Sequence, residues 1–278
     1  MSAPVSSFAD WSAEAYLADY YSRIEPEERC TLRFLVEQFR KLPRNCLALE
    51  FGIGPTLHHV LPLSPYASEI HVADLLPSNL EAVRKWQERE CGAHDWAEFT
   101  RRVLIYEGNL LPTESDVHAR EELTRSRITQ RLLGDAHRPQ PLGPGYERRY
   151  DCVLSCYCAD SATADKLEWS RLMRNITYLL APGGLLVVAA LRRCSGYRVG
   201  GKCFPSAGID EHDMGRLFER LYFRSSGVTL RVEQVPEQRT SGFESVLLAS
   251  GLSPLEGPPV KSGQRSAQTC SPSAVQRQ

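Results

Sequence analysis

No stretch of this chain comes near the roughly 18 uninterrupted apolar residues that a membrane-spanning helix needs, so no membrane partner is expected. Residues 1–10 contain no basic segment leading into an apolar core, and a cytoplasmic protein is the expectation. An excess of one charge is missing too: 33 Lys and Arg stand against 34 Asp and Glu, with the cations scattered among the acids. That pattern lacks the basic footprint of a nucleic-acid binder, and nucleic acid is not an expected partner. The nine cysteines are an odd number, and several lie inside apolar runs, so reduced buried thiols are expected rather than a disulfide framework. Cys152, Cys156 and Cys158 have no histidine at zinc-site spacing, and no motif enlists His58-His59, so no metal is expected.

What is present suits one large α/β domain: 278 residues, of which 42% are hydrophobic. The chain is organised around residues 46–56. Cys46 to Phe51 is an apolar run of strand length broken only by Glu50, and Gly52 and Gly54 open a tight turn directly after it. Such glycines let backbone amides approach a ligand where a Cβ would clash, and Pro55 with Thr56 is positioned to start the next helix. A second strand, residues 69–74, ends on Asp74, where an acid at this spacing holds ribose hydroxyls. Leu57 occupies the place of the third glycine of a dinucleotide fingerprint, so a nucleoside fits better than NAD.

The remaining pattern alternates helices and strands, which calls for a mostly parallel sheet. Helices are expected over residues 11–21, 26–42, 77–90, 93–106, 116–132, 164–180 and 210–221. Strands are expected over 150–156, 185–191, 229–234 and 243–249, with a hairpin over 196–204. Residues 107–144 read as a polar insertion between core units. From Ser253 the composition turns to Pro, Gly, Ser and Gln, which cannot bury enough surface to order a tail.

Several motifs in order resemble a class I S-adenosylmethionine-dependent methyltransferase, and more narrowly the family of nicotinamide N-methyltransferase, phenylethanolamine N-methyltransferase and thioether S-methyltransferase. They are Phe8 with Tyr16-Leu17 and Tyr20-Tyr21, Glu50-Phe51-Gly52-Ile53-Gly54-Pro55-Thr56, Ala73-Asp74 with Asn79-Leu80, Lys85-Trp86 and Asp95-Trp96. Gln140-Pro141-Leu142-Gly143, Asp151-Cys152-Val153-Leu154-Ser155 and Pro182-Gly183-Gly184 complete a set spanning about residues 8–250.

The resemblance implies a Rossmann-like fold, an α/β class with a mostly parallel seven-stranded sheet flanked by helices. It implies one domain over residues 1–251, with a helical lid over 1–43 and a core over 44–251, followed by a disordered tail over 252–278. The implied cofactor is S-adenosyl-L-methionine. Gly52, Gly54 and Thr56 would surround its methionine half, with Tyr21 at its carboxylate, His58 bordering that end and Cys156 close by. Asp74 would take the ribose hydroxyls, Asn79 would lie beside the nucleoside, and Asp135-Ala136 would contact adenine.

Tyr16 would close over the sulfonium; Tyr157, at the end of a central strand, would cover the sulfonium or accept from the substrate; and Ser206 would touch the substrate. The three also have plain readings as packing or loop residues. Methyl transfer asks mainly for positioning, so no triad is expected.

The family's amine-binding members place an acid near the end of the strand after Pro182-Gly183-Gly184, where this chain has Ala190. Arg192 or Arg193 nearby would instead suit an anionic group, unless both are solvated loop charges. The implied reaction is transfer of a methyl group to a small molecule at nitrogen by a monomer. The missing acid leaves a second reading open, in which the cofactor alone cyclises to azetidine-2-carboxylate and releases methylthioadenosine.

Overall fold

The computed structural model describes residues 7–223, 225–235, 242–243 and 245–255. Most of the expected tail therefore lies outside the described residues.

Two helices lead in, α1 (Ala13–Tyr20) and α2 (Pro26–Phe39). Ser12 caps α1 by accepting from the amide of Ala15, and α2 opens with Pro26, whose missing N–H costs nothing in a first turn. Leu32, Leu35 and Phe39 of α2 recur at helical spacing and are fully buried.

The sheet contains seven strands, β1 (Cys46–Phe51), β2 (Ala67–Asp74), β3 (Ile128–Leu133), β4 (Tyr150–Cys156), β5 (Leu180–Arg192), β8 (Thr229–Gln234) and β9 (Ser245–Leu252). Their order is β3-β2-β1-β4-β5-β9-β8. The first five run parallel, while β9 pairs antiparallel with β5 and with β8. A separate hairpin, β6 (Tyr197–Val199) with β7 (Lys202–Phe204), stands where the sequence places one.

Helices α3 (Pro77–Gln87), α4 (Ala97–Glu107), α5 (Glu114–Arg127), α6 (Lys166–Thr177) and α7 (Glu211–Arg220) complete the fold. The central strands read as apolar runs because both faces are covered. In β5, Leu185, Val187 and Ala189 join one core cluster and Leu186, Val188 and Ala190 the other. β4 alternates the same way, with Cys152, Leu154 and Cys156 on one face and Val153 on the other.

Two expectations are corrected. No helix follows the glycine turn: residues 54–66 form successive turns, closed by bonds such as Val60 N–H to Leu57 O at 3.1 Å and Ser64 N–H to Val60 O at 3.0 Å. Pro62 and Pro65 lack the amides that a continuous helical ladder requires there. The glycine turn thus has no helix dipole directly behind it.

The helix expected over 116–132 stops at Arg127, and Ile128–Leu133 turns into the edge strand β3. Within residues 107–144, the segment Ile128–Leu133 therefore belongs to the sheet, so the range is not an insertion lying wholly outside it. Eight cysteines are free thiols among the described residues, with Cys46, Cys152, Cys156 and Cys194 buried.

Candidate functional site

β1, β2 and β4 end side by side on the carboxyl edge of the sheet, which is where open α/β sheets place ligands. Gly52 follows β1 with φ +78°, and its amide donates to Ala73 O at 2.8 Å. A Cβ at Gly52 would sit 2.0 Å from Cys158 Sγ, so nothing larger fits. Gly54, with φ +62°, has only ordinary contacts around its own would-be Cβ, the nearest being the Tyr16 ring at 3.9 Å.

The amide of Gly54 donates to Asp74 Oδ2 at 2.8 Å. Asp74 Oδ1 accepts from Leu76 N at 2.9 Å and from Asn79 Nδ2 at 3.0 Å. The backbone of Leu75 also hydrogen-bonds this carboxylate. Burial pushes the Asp74 carboxyl up from its ordinary value, and the donors of Leu76, Gly54 and Asn79 oppose that rise. Asn79 also accepts a 2.9 Å bond from the indole N–H of Trp11, which ties the N-terminal segment to this acid.

These residues border a cavity of about 540 Å³. Of the expected site residues, Tyr16, Tyr21, Gly52, Gly54, Thr56, Asp74, Asn79, Asp135, Ala136, Cys156 and Tyr157 line it. Asp135 and Ala136 follow β3, Asp74 ends β2, Gly52 ends β1 and Tyr157 follows β4, so the cavity runs along the sheet edge in that order. Asp135 is a loop acid that accepts from His137 N at 3.0 Å and Arg138 Nε at 3.2 Å. Thr56 donates its hydroxyl to Ile53 O at 2.7 Å and holds the loop's shape.

Two expected residues stand elsewhere. Ser206 is buried and does not line the cavity, and His58 stands behind the wall, with its ring stacked 5.3 Å from that of Trp96. Arg192 binds Glu211 through Nε and Nη2 at 2.6 and 3.0 Å, Arg193 faces Asp210 at 3.9 Å, and neither lines the cavity. No anionic group is offered a guanidinium from these two positions.

An aromatic cluster borders the same cavity. Trp11 lies 4.8 Å from Tyr16 between ring centroids, Tyr16 lies 5.2 Å from Tyr20, and Tyr197 stacks on Phe204 at 5.5 Å. Tyr157 has φ +53°, a left-handed conformation that costs a bulky residue of the order of 1–3 kcal/mol. It is held there by its amide on Ala189 O at 2.8 Å and its hydroxyl against Thr31 Oγ1 at 2.5 Å. Burial raises both the Tyr16 and Tyr157 phenols far above their ordinary value, so both are neutral.

A group that sequence spacing cannot display lies at the β4 end. Glu28 Oε2 accepts from His58 Nε2 at 2.9 Å across 30 residues and faces His59 Nε2 at 3.5 Å, while His59 Nδ1 lies 3.0 Å from Glu50 Oε1. Burial and the neighbouring His59 push His58 down to about 4. His59 resists its own burial through Glu28 and Glu50 and stands at about 9. Burial works to raise Glu28, but His58 and His59 outweigh it and hold the carboxyl well below its usual range.

The atoms of Glu28, His58 and His59 lie within 4.8 Å of one another, close enough for a metal ion. The expectation of no metal motif rested on local spacing and did not include Glu28. Asp160 was missed as well: burial lifts its carboxyl to about 7, against the bond it accepts from Leu191 N at 3.3 Å.

The chain is similar to known methyltransferases in sequence and in fold. Human nicotinamide N-methyltransferase is 31% identical over 233 residues, covering 81% of this chain and 85% of the relative. Bovine phenylethanolamine N-methyltransferase is 30% identical over 257 residues, covering 88% of each. In fold, a S-adenosylmethionine-dependent methyltransferase from Methanosarcina mazei aligns with a TM-score of 0.54 at 14% identity, over 79% of this chain and 98% of its own. Phosphoethanolamine N-methyltransferase 2 of Haemonchus contortus, in complex with S-adenosyl-L-methionine, aligns with a TM-score of 0.52 at 10% identity, over 87% of this chain and 56% of its own. The model of the NNMT/PNMT/TEMT family matches residues 2–240. The chain belongs to that family of S-adenosylmethionine-dependent methyltransferases.

Proposed function

We propose that the protein transfers the methyl group of S-adenosylmethionine to a nitrogen of a small-molecule acceptor. The observation that carries this reading is the hydrogen-bonded unit of Gly54, Asp74 and Asn79, which lines one cavity together with Trp11, Tyr16 and Tyr157. Asp74 would accept from a ribose hydroxyl, and the glycine turn presents backbone at the cavity wall. Asp135 and Ala136 would meet the adenine. The bound cofactor supplies an electrophilic methyl on a sulfonium.

The residues' part is positioning. Tyr16 would lie over the reacting centre with a neutral phenol, offering an aromatic face to positive charge. Tyr157, fixed by Ala189 and Thr31, would wall off the other side and keep water out. The N-terminal segment would act as a lid, latched by the bond from Trp11 to Asn79. Ser206 would act on substrate only after a rearrangement that brings its hydroxyl to the cavity. Among the described residues no helix is long and apolar enough to cross a membrane, and we read the enzyme as a cytoplasmic monomer.

A second reading is favoured by Ala190, 1% exposed within the apolar cluster of β5, which offers an acceptor amine no carboxylate. In it the α-amine of the cofactor, after losing one proton, attacks its own γ-carbon. The γ-carbon–sulfur bond breaks, its electron pair neutralises the sulfonium, and azetidine-2-carboxylate and methylthioadenosine leave.

One incubation separates the two. Mass spectrometry after mixing with S-adenosylmethionine alone is expected to show no turnover, and S-adenosylhomocysteine is expected only when an acceptor amine is added. Methylthioadenosine formed without an acceptor would replace transfer with cyclisation.

A further inference from the structure

The group of Glu28, His58, His59 and Glu50 is short of donors. Glu28 Oε1 has one long contact, 3.4 Å from the Tyr21 hydroxyl, and Glu50 Oε2 and the acceptor nitrogen of His58, Nδ1, have no hydrogen-bond partner. All four residues are buried, with Glu28 at 5% and His59 at 3% exposure, and Glu28 and His59 line the cavity. The carboxyl groups of Glu50 and Glu28 flank the His59 ring at 3.0 and 3.5 Å. Such a group attracts a cation that brings several N–H donors.

Its place in the cavity says which cation. Asp74 bonds Gly54, a Cβ on Gly54 would lie 3.9 Å from the Tyr16 ring, the Tyr16 hydroxyl lies 3.4 Å from that of Tyr21, and Tyr21 meets Glu28. With the nucleoside held at Asp74 and Asp135, the other arm of the ligand extends toward β4, where Glu28 and His59 line the wall. The geometry points to Glu28, braced by His58 and His59, as the seat for the α-ammonium group of an aminoacyl nucleoside. The Tyr21 hydroxyl can donate to Glu28, so the expected grip of Tyr21 on a carboxylate would bring that anion against the charge of Glu28.

An amine seated on Glu28 keeps its third proton and has no lone pair with which to attack the γ-carbon. The seat therefore opposes self-cyclisation. The assignment rests on the cofactor reading above, and its test keeps the two apart.

Calorimetry would compare S-adenosylhomocysteine, its analogue lacking the α-amino group, and methylthioadenosine on the wild-type chain and on Glu28→Gln. The expected result is that the wild type prefers S-adenosylhomocysteine over the deaminated analogue by about tenfold or more, as a charge-assisted bond implies. Glu28→Gln should bring the two within about threefold while leaving methylthioadenosine unchanged, with its melting curve checking the fold. Equal wild-type affinity for the first two ligands, or a preference that survives in Glu28→Gln, overturns the assignment whether or not the variant is stable. A stoichiometric metal ion found by elemental analysis of the wild type and lost from Glu28→Gln overturns it too. Failure of the wild type to bind any of the three removes the cofactor reading itself.

Discussion

The amide of Gly54 donates to Asp74 Oδ2 at 2.8 Å across 20 residues of sequence, so the glycine turn after β1 and the acid ending β2 form one unit. Neither residue is positioned without the other. The turn needs a left-handed Gly54, and the buried acid needs the amide that this conformation turns toward it.

The two glycines of that turn are expected to respond differently to alanine. Gly52→Ala places a Cβ 2.0 Å from Cys158 Sγ and 2.5 Å from its Cβ at a positive φ, and should cost about 3 kcal/mol. Gly54→Ala meets no atom closer than 3.9 Å and should cost only the conformational penalty, about 1 kcal/mol. Thermal melts check this: each kcal/mol is worth about 2–4 °C in a chain of this size.

Asp160 makes stability depend on pH in a direction that can be worked out. Burial raises its folded-state carboxyl from 3.8 to about 7, so the stability it contributes is full below about pH 4 and is lost as pH rises through 7. Asp160→Asn keeps the shape and removes the titration. The stability of the wild type relative to this variant should fall between pH 4 and 7, by at most about 1.4 kcal/mol per pH unit. Urea midpoints of both proteins across that range check it.

Trp11→Phe removes one bond, from the indole to Asn79 Oδ1, and keeps the ring. If the N-terminal segment latches the nucleoside end, affinity for S-adenosylhomocysteine should fall about fivefold, the worth of about 1 kcal/mol. The loss should appear as faster dissociation in stopped-flow fluorescence.

What the sequence could convey depended on how local each signal was. β1 and β4 are legible to the residue because both lie between other strands, so burial on two faces leaves an uninterrupted apolar run. β3 was hidden because an edge strand buries little: within it Thr129, Arg131 and Leu133 are exposed, and the polar helix before it runs on without a break in pattern. The turns after Gly54 look like a helix start, and only Pro62 and Pro65 argue otherwise.

The unit of Gly52, Gly54 and Asp74 was readable because the three keep a fixed spacing across one strand–turn–strand unit. Glu28 belongs to α2, and nothing in its surroundings indicates His58 and His59, which only the packed fold brings to it. The left-handed backbone of Tyr157 has no sequence signature either, since glycine or asparagine is the residue that announces such a position.

The most direct test of the account is a calorimetric titration of S-adenosylhomocysteine into the wild type and Asp74→Ala. Charge-assisted bonds to ribose are worth about 1.5–3 kcal/mol each, so the wild type is expected to bind one ligand per chain and the variant about 100-fold more weakly. Equal affinity in the two proteins, or no binding by the wild type, would contradict it.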